Sequence, residues 1–246
     1  MIITSVSNNK IKETCKLKDK KYRNSTDSFL IEGKNLIEEA YKKNLLKEIF
    51  VLEDNNITLD VPTNYVSKEV MKKLSTTDSI PVVVVVSHKK IEEELGNRLL
   101  ILDNIQDPGN LGTIIRSSKA FNIDTIVISP NTVDIYNSKV LRATEGMIFH
   151  INIIVRELET FINDIKKENY IIYGTKVDGG TNVKNIEISS KYALVIGNEG
   201  NGMSLNISNL CDHYLYIKMN NEVESLNAGV ATSILLYEMD DKYESN

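Results

Sequence analysis

The chain has 246 residues, is 41% hydrophobic and 26% charged, and carries a formal net charge of −5. That is the composition of a globular protein with room for one large core or two modest ones. The longest apolar run, residues 80–86, is strand-sized, which excludes a helical membrane span. The N-terminus lacks the apolar stretch of a secretory signal, so a cytoplasmic protein with no membrane partner is expected. Cys15 and Cys211 stand singly and without metal-ligand spacing; reduced thiols and no metal site are expected.

The acidic excess belongs to residues 98–246, while residues 1–97 are close to neutral. At the start of the chain, Lys10, Lys12, Lys16, Lys18, Lys20, Lys21 and Arg23 face only Glu13 and Asp19. A basic segment on an acidic protein fits a phosphate-contacting patch or a solvated helix face.

In chain order, the pattern predicts a helix at 9–20 and a Ser/Thr/Asn-rich turn at 24–28. A strand at 29–33 leads into a helix with Leu36, Ile37, Ala40 and Tyr41 on one face. Short strands are expected at 48–52 and 61–66, and Ser67 is placed to cap a helix running to Leu74 with Glu69 in its first turn. The continuous β-branched run at 81–86 reads as a strand buried on both faces. Residues 88–98 read as a connection, helical at 91–95. The domain division is therefore 1–90, a linker at 91–98, and 99–246.

Beyond residue 98 strands and helices alternate. Strands are expected at 99–102, 125–129, 151–155, 170–175, 193–197 and 214–219, and helices at 112–121, 138–146, 157–167, 204–211 and 226–237. This rhythm predicts a largely parallel α/β sheet whose ligand lies beyond the carboxyl ends of its strands. Three polar, glycine-bearing loops follow strands there: 104–110, 197–202 and the stretch ending in Ser225, Leu226 and Asn227.

Singly, each loop has an ordinary explanation. Asn110, Ser225 and Asn227 are good helix caps, and Arg116 suits a surface ion pair as well as a phosphate. The second loop is neither a dinucleotide fingerprint nor a phosphate loop, because its glycines are wrongly spaced and no Lys-Ser/Thr follows.

Taken together, Asn104, Asp107, Pro108, Asn110, Gly112 and Arg116, then Gly197, Glu199, Gly200 and Gly202, then Ile217, Met219 and Ser225-Leu226-Asn227, resemble a family. It is the SpoU/TrmH family of S-adenosylmethionine-dependent RNA 2′-O-ribose methyltransferases. The resemblance implies a small N-terminal, ribosomal-protein-like α/β domain that binds substrate RNA. It also implies a C-terminal α/β-knot (SPOUT) domain with a deep trefoil knot, which pattern reasoning would never propose. Lys218 and Asn221 depart from the family, which has Pro and Gly at those positions.

The same resemblance implies S-adenosylmethionine as cofactor, held by Thr175, Gly197, Glu199, Gly200, Ile217, Met219, Ser225 and Leu226. It gives catalytic roles to Arg116, Asn110, Glu199, Ser225 and Asn227. RNA would be contacted by Arg116 and by Lys10, Lys12, Lys16, Lys20, Lys21 and Arg23. It further implies a homodimer whose Arg116 serves the partner's cofactor, and an RNA substrate, ribosomal RNA first and transfer RNA second. Two other classes remain open at this point: a catalytically silent RNA-binding protein, which would not bind S-adenosylmethionine, and a nucleotide-dependent enzyme acting on a small molecule.

Overall fold

The computed structural model describes residues 2–57, 59–78, 81, 83–88, 94–177 and 179–244. They fall into two compact units, Met1–Ile91 with Tyr136–Phe149, and Glu92–Ile135 with His150–Asn246.

The first unit runs β1 (Ile2–Ile3), α1 (Asn9–Lys16), α2 (Lys20–Thr26), β2 (Ser28–Glu32), α3 (Lys34–Lys42), β3 (Leu46–Leu52), β4 (Thr63–Val66), α4 (Lys68–Leu74) and β5 (Val83–His88). The sheet order is β1-β4-β3-β5-β2; β1, β4 and β3 are parallel, and β5 is antiparallel to both neighbours. Val84, Val85 and Val86 are buried, as a central strand covered on both faces requires. Ser67 caps α4 by accepting from the Val70 N–H. The helix expected at 91–95 falls largely outside the described residues.

The N-terminal helix differs from expectation. Instead of one helix and a turn there are two helices, and the second runs through the Ser/Thr/Asn-rich stretch. Asp19 starts it by accepting from the Tyr22 N–H, and Asp27 ends it with φ +45°. Arg23 is buried beneath, its Nη1 donating to the carbonyls of Leu17 and Lys18 at the end of α1. Arg23, expected to contact RNA, thus caps a helix end from below, unlike the exposed lysines beside it.

The second unit begins with β6 (Arg98–Leu102), α5 (Pro108–Ala120) and β7 (Thr125–Ile128). The chain then returns to the first unit for α6 (Ser138–Ala143) and a 3₁₀ turn at Met147–Phe149. Aromatic packing accounts for that return: the Tyr136 and Phe149 rings lie 4.5 and 6.2 Å from Phe29. The sequence pattern had left 136–149 with the C-terminal domain. Back in the second unit follow β8 (Asn152–Val155), α7 (Leu158–Lys167), β9 (Ile171–Thr175), β10 (Thr181–Asn182), β11 (Tyr192–Ile196), α8 (Leu205–Ser208), β12 (His213–Tyr216) and α9 (Ala228–Glu244).

These strands make one wholly parallel sheet, ordered β10-β12-β9-β11-β6-β7-β8. The α/β class expected for both parts of the chain is what is found. Buried Leu158, Ile162 and Ile165 of α7 pack on Leu99, Ile101, Ile172 and Val195, each large side chain contributing about 1.5–3 kcal/mol. The chain runs from β6 out to β8 and then crosses to β9 and β11 on the other side. That switch opens a crevice at the carboxyl ends of β6, β11 and β9. Strand β12 ends at Tyr216, so Ile217 and Met219, expected in the strand, lie in the loop that follows. Residues 217–227 then double back beside 197–203 and deliver α9 onto α5.

Candidate functional site

The first loop leaves β6 at Asp103, which is buried. Its N–H donates to the Ile196 carbonyl, and its carboxylate accepts from the Ser204 N–H. The ends of β6 and β11 are thereby tied together. Asn104 turns the chain in the left-handed region, φ +64°. Pro108 opens α5 and Asp107 caps it, accepting from the Asn110 N–H at 2.8 Å. The cap expected of Asn110 is thus supplied by Asp107, and the Asn110 amide is left for longer-range contacts.

The second loop folds back on itself as a tight bridge between Asn198 and Gly202, N–H to carbonyl at 2.9 Å in both directions. Gly202 takes φ +68°, and at Gly197 a Cβ would lie 2.1 Å from the backbone of Gly202 and Met203. Only glycine fits there. Asn198 accepts from the N–H groups of Gly200 and Asn201 and donates to the Asn104 carbonyl, joining loop two to loop one.

Glu199 completes that junction. Its carboxylate accepts from the backbone N–H groups of Gln106 and Asp107 and from Asn110 Nδ2, at 3.0 to 3.1 Å. Partial burial pushes its pKa up, but the hydrogen bonds from Asn110, Asp107 and Gln106 outweigh this and hold it below the ordinary value. An ionised carboxylate so engaged is a clamp and a weak proton acceptor. The third loop joins the same network through Asn227, whose Nδ2 donates to Asn110 Oδ1 at 2.8 Å. Asn227 Oδ1 also caps α9, accepting from Gly229 and Val230. Both ends of one amide are used, one capping α9 and the other reaching Asn110.

Beside this network lies a cavity of about 510 Å³. Thr175, Gly197, Glu199, Gly200, Ile217, Met219, Ser225 and Leu226 all line it, so the eight residues expected to hold the cofactor border one cavity. Its size suits a nucleoside-sized ligand. Ile196, Leu215, Ile217, Leu226 and Leu235 offer an apolar bed, and the glycine loop exposes backbone at Gly197–Gly202. An adenosyl group with an amino-acid tail fits such a donor set. Lys176 and Glu224 also line the cavity, and Lys176 Nζ sits 3.5 Å above the Tyr214 ring. Glu224 stands beside the third loop in the sequence, whereas the sequence pattern gave no sign of Lys176.

Arg116 does not line this cavity. It is exposed on α5, and no hydrogen bond or ion pair engages its guanidinium among the described residues. Of the N-terminal cations, Lys12, Lys20 and Lys21 are exposed, whereas Lys10 pairs with Glu48 and Lys16 with Glu13, each at 2.7 Å. No cluster of potential metal ligands occurs among the described residues. No helix among them is long and apolar enough to cross a membrane.

Comparison with known proteins places this geometry. Residues 97–237 match the SpoU rRNA Methylase family, and residues 8–84 match the MRM3-like substrate binding domain. The chain is 36% identical over 244 residues to the 23S rRNA (guanosine(2553)-2′-O)-methyltransferase RlmP of Bacillus subtilis, covering 96% of this chain and 98% of that one. It superposes on the S-adenosylmethionine-bound rRNA methyltransferase of Sinorhizobium meliloti with a TM-score of 0.85 and 26% identity, covering 98% of this chain and 97% of that chain. A crystal structure of an RNA 2′-O ribose methyltransferase matches with a TM-score of 0.84 and 26% identity, covering 98% and 99% of the two chains.

Proposed function

The chain belongs to the SpoU rRNA methylase family and is an S-adenosylmethionine-dependent RNA 2′-O-ribose methyltransferase, and we propose that its substrate is 23S ribosomal RNA. The knotted α/β fold of this family is part of the reading. The observation that carries the substrate reading is the near full-length relationship to a 23S rRNA methyltransferase, in both the substrate-binding and the methylase parts.

When bound, S-adenosylmethionine supplies a methyl carbon activated by its sulfonium. The protein's task is to align a ribose hydroxyl with that carbon and to help it lose its proton. Arg116 is assigned a two-pronged grip on the phosphate next to the reacting ribose, stabilising negative charge as it develops on O2′. With a pKa above about 12 it is a poor base, so charge stabilisation and orientation are its role. Ser225 and Asn227 position the ribose. Asn110 and Glu199 hold the three loops in register, as positioning residues rather than acid or base.

A homodimer is part of the proposal. Val230 and Tyr237, seven residues apart on one face of α9, are 47% and 58% exposed, and α9 packs on the helix that carries Arg116. That surface would place Arg116 at the partner's cavity. Exposed Lys12, Lys20 and Lys21 are assigned to RNA phosphates. The test is to map 2′-O-methyl positions in total RNA with and without the gene. One lost position in 23S rRNA is expected; a loss confined to transfer RNA would overturn the substrate.

A further inference from the structure

Among the described residues that line the cavity beside the three loops, Lys176, Glu199 and Glu224 carry charge and the rest do not. Glu199 is committed to the loop clamp, accepting from Gln106, Asp107 and Asn110. Lys176 and Glu224 are exposed, and no ion pair engages either among the described residues. Lys176 is nonetheless held in place. It follows β9 directly, and its backbone N–H donates to the Leu215 carbonyl at 3.0 Å. Its Nζ lies 3.5 Å above the Tyr214 ring, and the Tyr214 hydroxyl donates to the carbonyl of Ser208, which also lines the cavity. An aromatic face orients an ammonium without neutralising it, so the head of Lys176 is positioned yet still able to bind an anion.

The amino-acid tail of S-adenosylmethionine ends in one carboxylate and one ammonium, while its adenosine carries no charge. That carboxylate is the ligand's one anion, and Lys176 is the one cation among the described lining residues. Glu224 is the one carboxylate among them that the loop clamp does not use. We propose that Lys176 binds the carboxylate and Glu224 the ammonium of the cofactor's tail, so that the pair selects the whole cofactor over forms lacking that tail. The inference rests on the assignment of this cavity to S-adenosylmethionine. It adds two residues that none of the three motifs contains, and it gives the charge beside the third loop a task.

The test is calorimetry of the full chain with four ligands: S-adenosylmethionine, S-adenosylhomocysteine, decarboxylated S-adenosylmethionine and methylthioadenosine, which has no amino-acid tail. Lys176→Gln is expected to weaken S-adenosylmethionine about tenfold, the loss of one charge-assisted contact, and to leave methylthioadenosine unchanged. The wild type should prefer S-adenosylmethionine to its decarboxylated form, and Lys176→Gln should lose that preference. Lys176→Arg, which keeps the charge, should recover most of the affinity. Glu224→Gln should weaken S-adenosylmethionine and S-adenosylhomocysteine by similar factors, since both carry the ammonium, and leave methylthioadenosine unchanged.

Both residues are exposed, so each variant should melt with the wild type, and intact methylthioadenosine binding reports an intact cavity. Unchanged S-adenosylmethionine affinity in both glutamine variants would overturn the proposal. So would a parallel loss of methylthioadenosine, which would place the pair at the adenosyl group. A Glu224→Gln loss confined to S-adenosylmethionine would assign Glu224 to the sulfonium and overturn its half. If the wild type binds neither S-adenosylmethionine nor methylthioadenosine, the assignment of the cavity beneath the proposal fails instead.

Discussion

Asn110 and Asn227 lie 117 positions apart and meet amide to amide, Asn227 Nδ2 donating to Asn110 Oδ1 at 2.8 Å. Because Asn110 Nδ2 donates onward to Glu199 Oε1, this one side chain connects all three loops of the site. Asn110→Ala should cost about 1–3 kcal/mol by leaving two partners unmatched, lowering Tm by about 2–4 °C per kcal/mol. Asn110→Asp should be worse, since it removes the donor and faces a second carboxylate toward Glu199. Thermal melts of both variants check the order; Asp equal to or better than Ala would break the argument.

Glu199 gives a pH signature. Its folded pKa is depressed, so the unfolded chain binds the proton more tightly. The stability it contributes is fully present above the ordinary glutamate range and is lost as pH falls through the lower folded value. Glu199→Gln should therefore be less stable than wild type by about 1 kcal/mol near neutrality, a modest figure for a partly exposed group. The gap should close on acidification below the glutamate range. Melts from about pH 7 to about pH 3 check this, and a gap that widens in acid would contradict the clamp.

Two glycines of the second loop separate backbone need from ligand need. At Gly197 an added methyl meets Gly202 and Met203 at 2.1 Å, so Gly197→Ala should destabilise the fold by about 1–3 kcal/mol and remove measurable S-adenosylmethionine binding. At Gly200 the nearest atom is Asn198 Oδ1 at 3.6 Å and φ is ordinary, so Gly200→Ala should keep its melting point within about 0.5 kcal/mol of wild type. Equal melting points for the two variants would show that the loop relaxes freely around residue 197.

The contrast between these residues shows what was legible in the sequence. The loops themselves were, because Asp107-Pro108-Gly109, Gly197 and Gly202 are local punctuation that marks turns whatever surrounds them. Their joining was not. Glu199 to Asn110 spans 89 positions, and no periodicity encodes which amide a distant carboxylate will find. Arg23 read as one of a run of RNA-contacting cations because its neighbours are basic; only packing reveals that it turns inward to two carbonyls. The packing of residues 136–149 was hidden for the same reason, since the rings of Phe29, Tyr136 and Phe149 meet only in three dimensions.

The placement of Arg116 outside the cavity leads to the last prediction. Arg116 lies exposed on α5 while the expected cofactor residues line the cavity at the loops, so in the proposed dimer each reaction centre takes Arg116 from one chain and Asn227 from the other. Arg116→Ala and Asn227→Ala should each be nearly inactive alone, with Arg116→Lys also poor because an ammonium cannot make the two-pronged contact. Mixed after dissociation and reassociation, the two alanine variants should regain about a quarter of wild-type activity. Half the dimers are then mixed, and each mixed dimer has one intact centre of its two. Methyl transfer from labelled S-adenosylmethionine to 23S rRNA measures it. Recovery would be absent if both residues act within one chain, because every centre would then carry one of the two defects.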